Sequence, residues 1–176
     1  MDNLGEYDVI IKTPGISPYE ETVAPFRDRL MSTTQIFLQL YKGKVIGITG
    51  TKGKSTTATL TMNGLNAAGL KTILVGNIGR PVLDALDDIE QGNYDFVIYE
   101  MSSFMIESLH EVSIFAAIFT NLFIAHTDWH FGEHNYHMDK LKLAGLADHV
   151  IVNNGAYGKF KQFFDDLDVN CIRTGD

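Results

Sequence analysis

A glycine-rich run ahead of a helical pattern is the stretch of this sequence whose residues most clearly can do chemistry. The run is TGTKGKST at positions 49–56, and it follows the apolar pair Val45 and Ile46. Glycines let backbone N–H groups crowd around an anion, and the amino end of the following helix adds partial positive charge. Lys54 supplies a full positive charge, and the Ser55 hydroxyl can bind a magnesium ion. A strand, this loop and a helix in succession therefore predict a phosphate-binding site.

The spacing of this loop is a variant of the strict Walker pattern. That pattern requires a glycine five residues before Gly53, where this chain has Ile48, and neither Gly47 nor Gly50 is in register. The alternative interpretation is a plain glycine-rich turn with a solvated lysine. The succession Gly-Lys-Ser-Thr in this context favours phosphate binding. We therefore assign the following residues to nucleotide binding: Gly50, Thr51, Lys52, Gly53, Lys54, Ser55 and Thr56.

Length and composition limit the class of protein. The chain has 176 residues, which suffice for one α/β domain and part of a neighbour, and 45% of them are hydrophobic. The net charge of −8 disfavours a nucleic-acid partner, because phosphate contacts need a basic surface. No apolar run reaches about 18 residues and the start of the chain is polar, so we expect neither membrane insertion nor a signal peptide. A lone cysteine, Cys171, fits a reducing cytoplasm.

Short apolar segments alternate with helical patterns from residue 45 onward. This alternation predicts an α/β fold with a mostly parallel sheet and helices on both faces. The first 41 residues differ, with a short strand at 7–12, a loop at 13–18 and helical segments at 20–30 and 33–41. The later strands are predicted at 45–49, 72–75, 96–99, 115–120 and 149–153, and the helices at 55–68, 82–89 and 135–144.

A carboxylate follows one of these predicted strands. Glu100 comes directly after the strand at 96–99, and ligands of open α/β sheets lie at the carboxyl ends of strands. Glu100 is therefore placed to reach a metal ion beside the phosphates of the loop, as a hard oxygen ligand. The alternative is a glutamate that caps the following segment. Its position at a strand end leaves both interpretations open.

Several histidines follow the strand predicted at 115–120. Four histidines would suit a transition metal, but their spacing matches no zinc pattern and no cysteine accompanies them. We expect several of them to be solvated or hydrogen-bonded in a loop. A lysine on the helix that follows, Lys140, is expected at the surface on these residues alone. The four histidines are His126, His130, His134 and His137.

Five stretches of the sequence together carry a resemblance to a known family. They are the loop 49–56, Gly76-Asn-Ile-Gly79, the segment EMSSFMIE at 100–107, Asn121 to His126 followed by Tyr136 and Lys140, and Thr13-Pro-Gly-Ile16. Together they resemble the Mur ligase family and, in detail, the branch that adds D-glutamate. The loop resembles that family's ATP loop, including its departure from the Walker spacing. The resemblance extends over nearly the whole chain.

The resemblance implies an ATP-dependent carboxylate–amine ligase of peptidoglycan synthesis. The implied cofactors are ATP and two magnesium ions, and the implied partners are ATP, UDP-N-acetylmuramoyl-L-alanine and D-glutamate. The substrate carboxylate would become an acyl phosphate, and the amine of D-glutamate would then displace phosphate. The resemblance also implies a cytoplasmic protein that is monomeric at full length.

The same resemblance assigns roles to particular residues. Lys54 would hold the β- and γ-phosphates, and Ser55 with Glu100 would hold the first magnesium ion. His126 would bind the second magnesium ion. Lys140 would be carbamylated by CO2 and so become an anionic metal ligand. The residues implied to lie along the muramoyl substrate are Thr13, Pro14, Gly15, Asn77 and Ser102.

Two departures and a domain division accompany the resemblance. Met105 stands where the family has glutamine, and Ala125 stands where it has aspartate before the histidine. Residues 1–41 resemble the end of the uridine-binding domain, and residues 42–176 resemble an incomplete central ATP-binding domain. The amino-acid-binding C-terminal domain of the family has no counterpart in this sequence. We therefore expect the chain alone to be inactive in ligation.

Three other interpretations stay open at this point. The first is another ligase of the same superfamily, such as a different Mur ligase or a folylpolyglutamate synthase, against which Ser102-Ser-Phe104 and Gly76-Asn-Ile-Gly79 argue. The second is a non-catalytic nucleotide-binding module, which the missing domain would favour. The third is a histidine-rich metal-binding protein, which bound zinc without added ATP would support.

Overall fold

The computed structural model describes residues 3–175 and contains two parallel sheets. The smaller sheet pairs β1 (Ile10–Ile11) with β2 (Leu30–Met31) near the amino terminus. Within the described residues the larger sheet has six strands in the order β4-β5-β3-β6-β7-β8, and every neighbouring pair is parallel. These strands are β3 (Val45–Thr49), β4 (Thr72–Gly76), β5 (Phe96–Glu100), β6 (Ile114–Phe119), β7 (Ala147–Asn153) and β8 (Asn170–Thr174).

The helices connect these strands and cover both faces of the larger sheet. Two stretches, Leu4–Glu6 and Ala24–Arg29, are 3₁₀-helical. The α-helices are α1 (Thr33–Leu40), α2 (Lys54–Ala67), α3 (Leu86–Gly92), α4 (Ser103–Ile106), α5 (Thr127–His130), α6 (Glu133–Gly145), α7 (Asn154–Lys159) and α8 (Lys161–Asp165). The predicted α/β class, with a parallel sheet between helices, is confirmed.

The central strand β3 is buried along its whole length, which explains its nearly continuous apolar sequence. Successive side chains of a strand point to opposite faces. Ile46 and Ile48 pack with Ala58 of α2 on one face. Val45 belongs to the larger core cluster on the other face, together with residues of α1 and α6 such as Phe37 and Leu141. The sheet is therefore held from both sides, and its strand ends are fixed in position.

Several boundaries differ from the sequence prediction. The helix predicted at 20–30 is wrong, because that stretch forms turns and the 3₁₀ helix Ala24–Arg29, where Phe26 has a non-helical backbone. The strand predicted at 7–12 is limited to Ile10–Ile11. The helix predicted at 82–89 lies instead at Leu86–Gly92, where two aspartates in the first turn suit the positive amino end of a helix.

Other elements were not predicted, namely β2, β8 and the short helices α4, α5, α7 and α8. None of the helices among residues 3–175 is long and apolar enough to cross a membrane. Residues 1, 2 and 176, which the predicted domain ranges include, lie outside the described residues.

Candidate nucleotide-binding site

Three neighbouring strands deliver their loops to one edge of the larger sheet. Strands β5, β3 and β6 are adjacent in that order, so the loops that follow them adjoin at the carboxyl ends. The backbone N–H of Thr51 donates to the carbonyl of Asn121 at 3.0 Å, and that of Met101 donates to the carbonyl of Ile48 at 2.9 Å. Ligands of open parallel sheets bind at such an edge.

Glycines shape the loop between β3 and α2. Gly50 has a φ of +147°, and a Cβ there would lie 1.9 Å from the Thr120 hydroxyl oxygen. Gly53 has a φ of +82° and immediately precedes α2, in open space. The Lys54 ammonium donates to the Thr51 carbonyl at 3.2 Å, so the side chain folds back over the loop. The loop therefore has the geometry of an anion cradle at the start of a helix.

The segment after β6 holds this loop in place. The Lys52 N–H donates to the Asn121 side-chain oxygen at 2.9 Å, and the Asn121 amide donates back to the Lys52 carbonyl at 2.8 Å. The Thr120 hydroxyl donates to the same carbonyl at 2.7 Å. The Thr51 hydroxyl lies 2.9 Å from the Tyr136 hydroxyl of α6. Sequence reasoning did not identify these loop contacts of Thr120 and Tyr136.

Glu100 lies at the end of β5 and is almost completely buried. Its Oε1 accepts a hydrogen bond from the Asn77 amide at 3.1 Å. Its Oε2 has no hydrogen-bond partner among the described residues. The following helix α4 has Ser102 at its N-cap position, so capping does not account for the Glu100 carboxylate. A buried, unpaired carboxylate oxygen beside a phosphate loop is a candidate ligand for a hard cation.

Lys140 is buried, which corrects the expectation of a surface lysine drawn from its residue type and helical position. Its ammonium donates to the carbonyl of Gly50 at 3.0 Å and to the Thr49 hydroxyl at 3.4 Å. It also lies 5.2 Å from the centre of the Tyr136 ring. Burial, and after it the positive charge of Lys54, lowers the pKa of Lys140 to about 7. A fraction of Lys140 is therefore a neutral amine near neutral pH.

His126 precedes α5 with a left-handed backbone (φ of +51°). Its ring contacts the ring of Phe104, with the two centroids 5.1 Å apart. The pKa of His126 is lowered, first by the loss of water around the packed side of the ring and then by the charge of Lys140. A neutral imidazole is the form that binds metal ions.

The other histidines do not form a metal centre. His130 and His137 are buried in α5 and α6 and not in a loop, and His134 is exposed on α6. Residues 3–175 contain no group of three or more His, Cys, Asp or Glu side chains placed to hold a metal ion. The hypothesis of a histidine-rich metal-binding protein therefore has no site in this part of the chain.

The residues expected along the muramoyl substrate occupy two places. Asn77 contacts Glu100 directly, and Ser102 lies half-buried at the start of α4. Thr13, Pro14 and Gly15 form an exposed turn, in which the Ile16 N–H donates to the Thr13 carbonyl at 3.1 Å. Among the described residues this turn makes no direct hydrogen bond to Glu100, Lys140 or the phosphate loop. It adjoins α5 through Ser17, whose hydroxyl donates to the Trp129 carbonyl at 2.6 Å.

Access to the start of α2 is open. A shallow depression of about 370 Å³ lies along its first turns and is lined by Ser55, Thr56, Thr59 and Leu60.

A glycine loop at the start of a helix, beside a carboxylate from the neighbouring strand of a parallel sheet, defines the class of P-loop-type nucleotide-binding α/β domains. The model of the Mur ligase middle domain matches residues 48–175. The chain belongs to the Mur ligase family.

A curated relative agrees with this assignment. The chain is 36% identical over 164 residues to a UDP-N-acetylmuramoylalanine–D-glutamate ligase of Francisella tularensis subsp. novicida (strain U112). That match covers 87% of this chain and 38% of the ligase, so the chain spans less than half of the curated relative.

Two solved structures share the fold. One is UDP-N-acetylmuramate:L-alanyl-gamma-D-glutamyl-meso-diaminopimelate ligase from Neisseria meningitides, with a TM-score of 0.64 and 15% identity over 97% of this chain and 59% of that chain. The other is a complex of FPGS with AMPPCP, with a TM-score of 0.57 and 16% identity over 80% of this chain and 48% of that chain. At these identities the likeness concerns the fold alone.

Proposed function

We propose that this chain is the nucleotide-binding part of an ATP-dependent ligase that adds D-glutamate to UDP-N-acetylmuramoyl-L-alanine in peptidoglycan synthesis. The observation that carries the proposal is Lys140, a buried lysine 3.0 Å from the backbone of the phosphate loop with a pKa lowered to about 7. A phosphate loop needs one lysine for its anion, which Lys54 supplies, so a second buried lysine calls for another role. The 36% identity to a UDP-N-acetylmuramoylalanine–D-glutamate ligase supports D-glutamate as the amino acid that is added.

The residues at the strand ends fit a magnesium nucleotide. Glu100 Oε2 is buried without a partner among the described residues, and Ser55 stands in the first turn of α2 with its side chain exposed. Magnesium prefers hard oxygen ligands of this kind and is bound by one or two carboxylates together with substrate phosphates. We assign Ser55 and Glu100 to a first magnesium ion, and His126 with carbamylated Lys140 to a second. When bound, ATP supplies the phosphoryl group that activates the substrate carboxylate.

Residues of the chain would position the phosphates of the nucleotide and stabilise their negative charge. Backbone N–H groups of the loop and the amino end of α2 attract phosphate oxygens, and Lys54 adds its charge to the outer phosphates. Lys140 acts after its neutral amine nitrogen has formed a bond to the carbon of CO2 and has released a proton. The resulting carbamate is an oxygen ligand with a negative charge. A lowered pKa favours this reaction, because only the unprotonated amine has a free electron pair.

We assign Thr13, Pro14, Gly15, Asn77 and Ser102 to the muramoyl substrate. Met105 and Ala125 then remove two polar groups from that side. Residues 1–41 are assigned to the end of a uridine-binding domain and residues 42–176 to the ATP-binding domain. We place the full-length protein in the cytoplasm, because its substrates would be ATP and a nucleotide-linked sugar, and the family resemblance implies that it is a monomer.

Calorimetric titration of ADP with magnesium tests the proposal directly. We expect Lys54→Ala to weaken binding by about tenfold or more, because a charged hydrogen bond to phosphate contributes about 1.5–3 kcal/mol. Lys71→Ala is the matched control, since Lys71 is an exposed lysine that contacts Gly92 at the opposite end of β4. If Lys54→Ala binds as tightly as the parent, the loop does not bind the nucleotide and the proposal fails.

A further inference from the structure

A buried chain of hydrogen bonds joins the N-terminal segment to α6 and α4. His130 is completely buried, its Nδ1 lies 2.6 Å from Asp139 Oδ2, and its Nε2 lies 2.9 Å from Ser103 Oγ. The Tyr19 hydroxyl donates to both carboxylate oxygens of Asp139 at 2.9 Å. We call these four residues the Tyr19–Ser103 relay. None of them has a role in the proposed function.

The chemistry of the side chains determines which groups donate hydrogen bonds to Asp139. A carboxylate only accepts hydrogen bonds, so the His130 Nδ1–H and the Tyr19 hydroxyl both donate to Asp139. The His130 Nε2 and the Ser103 hydroxyl are also hydrogen-bonded, and either group can be the donor, because a hydroxyl both donates and accepts. Both carboxylate oxygens of Asp139 and both ring nitrogens of His130 are thereby paired. The relay is a satisfied buried network, which rigidifies the segments it joins.

The order serine, histidine, carboxylate resembles a hydrolytic triad, but burial excludes that role. A nucleophilic serine must meet a carbonyl carbon from the solvent side. Ser103 is 2% exposed and His130 is 0% exposed, so a substrate cannot reach the Ser103 oxygen without opening the fold. The relay must therefore act through the segments that it connects.

Those segments carry residues of the proposed site. Asp139 directly precedes Lys140 on α6, and successive helical residues point about 100° apart. Asp139 thus faces Tyr19 and His130, while Lys140 faces the carbonyl of Gly50. Tyr19 follows the turn at 13–15, and Ser103 begins α4, three residues after Glu100. One face of α6 is fixed by the relay and the neighbouring face bears the lysine.

We propose that Asp139 and His130 are positioning residues that hold Lys140 and the turn at 13–15 in a fixed relation. The inference rests on the proposed function for the roles of Lys140 and of this turn. The hydrogen bonds themselves require neither nucleotide nor metal. Docking of the N-terminal segment and placement of Lys140 then occur together. Asp139 binds Tyr19 of that segment and directly precedes Lys140 on α6.

Trp129 offers an intrinsic reporter of the relay. It is the only tryptophan in the sequence. Its carbonyl accepts from Ser17 of the N-terminal segment, and its ring centroid lies 4.6 Å from that of His130. The Lys12 ammonium lies 5.2 Å from the same ring. Release of the N-terminal segment would therefore expose Trp129 to water and shift its emission to longer wavelength.

The sharpest test is Tyr19→Phe, which removes one hydroxyl and keeps the ring that packs on Phe131 and Arg27. We expect about tenfold faster amide exchange in residues 12–19, because a hydrogen bond to a charged group is lost. We also expect a red shift of Trp129 emission and a changed resonance of the His130 Nδ1–H proton. Tyr7→Phe is the matched control, since Tyr7 is 58% exposed, and it should leave all three signals unchanged.

A second variant approaches the relay from its other end. Ser103→Ala removes the hydroxyl at His130 Nε2 and should shift the ring nitrogen resonances of His130 while the chain stays folded by circular dichroism. A purely packing role of Tyr19 predicts no change in the His130 proton, because phenylalanine retains the packing. If Tyr19→Phe and Ser103→Ala both leave exchange, emission and the His130 resonances at parent values, the inference is overturned. These readouts use no nucleotide, so a failure of ADP binding would refute the proposed function alone.

Discussion

Two buried carboxylates, Glu100 at the end of β5 and Asp139 in α6, differ in how completely they are paired. Asp139 receives hydrogen bonds on both oxygens, from Tyr19 and His130. Glu100 receives one bond from Asn77 on Oε1, and its Oε2 has no partner among the described residues. Both side chains are almost inaccessible to water, so burial alone does not separate them.

The difference in hydrogen-bond pairing indicates different roles for the two carboxylates. A buried polar group without a partner destabilises the fold, and such groups persist where a ligand completes them. The unpaired Oε2 of Glu100 therefore lowers stability, and under the proposed function a magnesium ion would give it a partner. Both oxygens of Asp139 already have protein partners, so its contribution is to the stability and geometry of the segments around it. The two carboxylates should therefore respond in opposite ways to removal of their charge.

The largest effect is expected at Asp139. Asp139→Ala leaves the buried His130 Nδ1–H and the half-buried Tyr19 hydroxyl without their acceptor. Removing one partner of a buried charged network costs about 3–5 kcal/mol, so we expect the free energy of unfolding in urea to fall by about that amount. Asp148→Ala, at an exposed aspartate of β7, is the control and should change stability by less than about 0.5 kcal/mol. A loss below about 1 kcal/mol at Asp139 would contradict the structural role.

Lys140, next to Asp139 in the chain, should make stability depend on pH. Its pKa is about 7 in the folded chain and about 10.4 in the unfolded chain. Between these values the unfolded state binds more protons, so the free energy of unfolding rises with pH above 7, by about 2 kcal/mol from pH 7 to pH 9. Below pH 7 both states are protonated, and this contribution no longer changes.

Urea unfolding at several pH values, with Lys140→Met as comparison, measures this effect. Methionine has a similar length and cannot titrate. The free energy of unfolding of the parent, relative to that of the variant, should therefore rise as the pH is raised from 7 to 9. Lys44→Met, at an exposed lysine before β3, controls for other titrating groups. Equal pH dependence of the parent and Lys140→Met would show that burial does not perturb Lys140.

The local part of this site could be predicted from the sequence, and the long-range part could not. The strand at 45–49 and the loop after it are encoded by neighbouring residues, an apolar run followed by Gly-Lys-Ser-Thr, and the structure has them in place. The burial of Lys140 depends on contacts with Gly50, ninety residues earlier, which helical periodicity does not reveal. Only the family resemblance singled out this lysine.

The Tyr19–Ser103 relay could not be predicted from the sequence either. Tyr19 and Asp139 are 120 residues apart, and Ser103 and His130 lie in helices of four residues each, too short for a clear periodic pattern. The 3₁₀ stretch Ala24–Arg29 lies inside the segment 20–30 that was predicted as helical, and the composition of that segment does not distinguish a 3₁₀ helix from an α-helix. Such features depend on tertiary contacts, and no local rule reports them.

The smallest effect, and the one that best distinguishes the two carboxylates, is expected at Glu100. Glu100→Gln keeps an oxygen for the Asn77 amide and replaces the unpaired charged oxygen with a neutral group. A neutral amide is less costly to bury than a charge, so stability in urea should stay equal or rise by about 1 kcal/mol. The gain in ADP affinity on addition of magnesium, measured by calorimetry, should be lost, because the hard ligand is gone. Glu90→Gln, on the exposed face of α3, should retain that gain. If Glu100→Gln is destabilised by more than about 1 kcal/mol and still responds to magnesium, Glu100 is a structural carboxylate like Asp139.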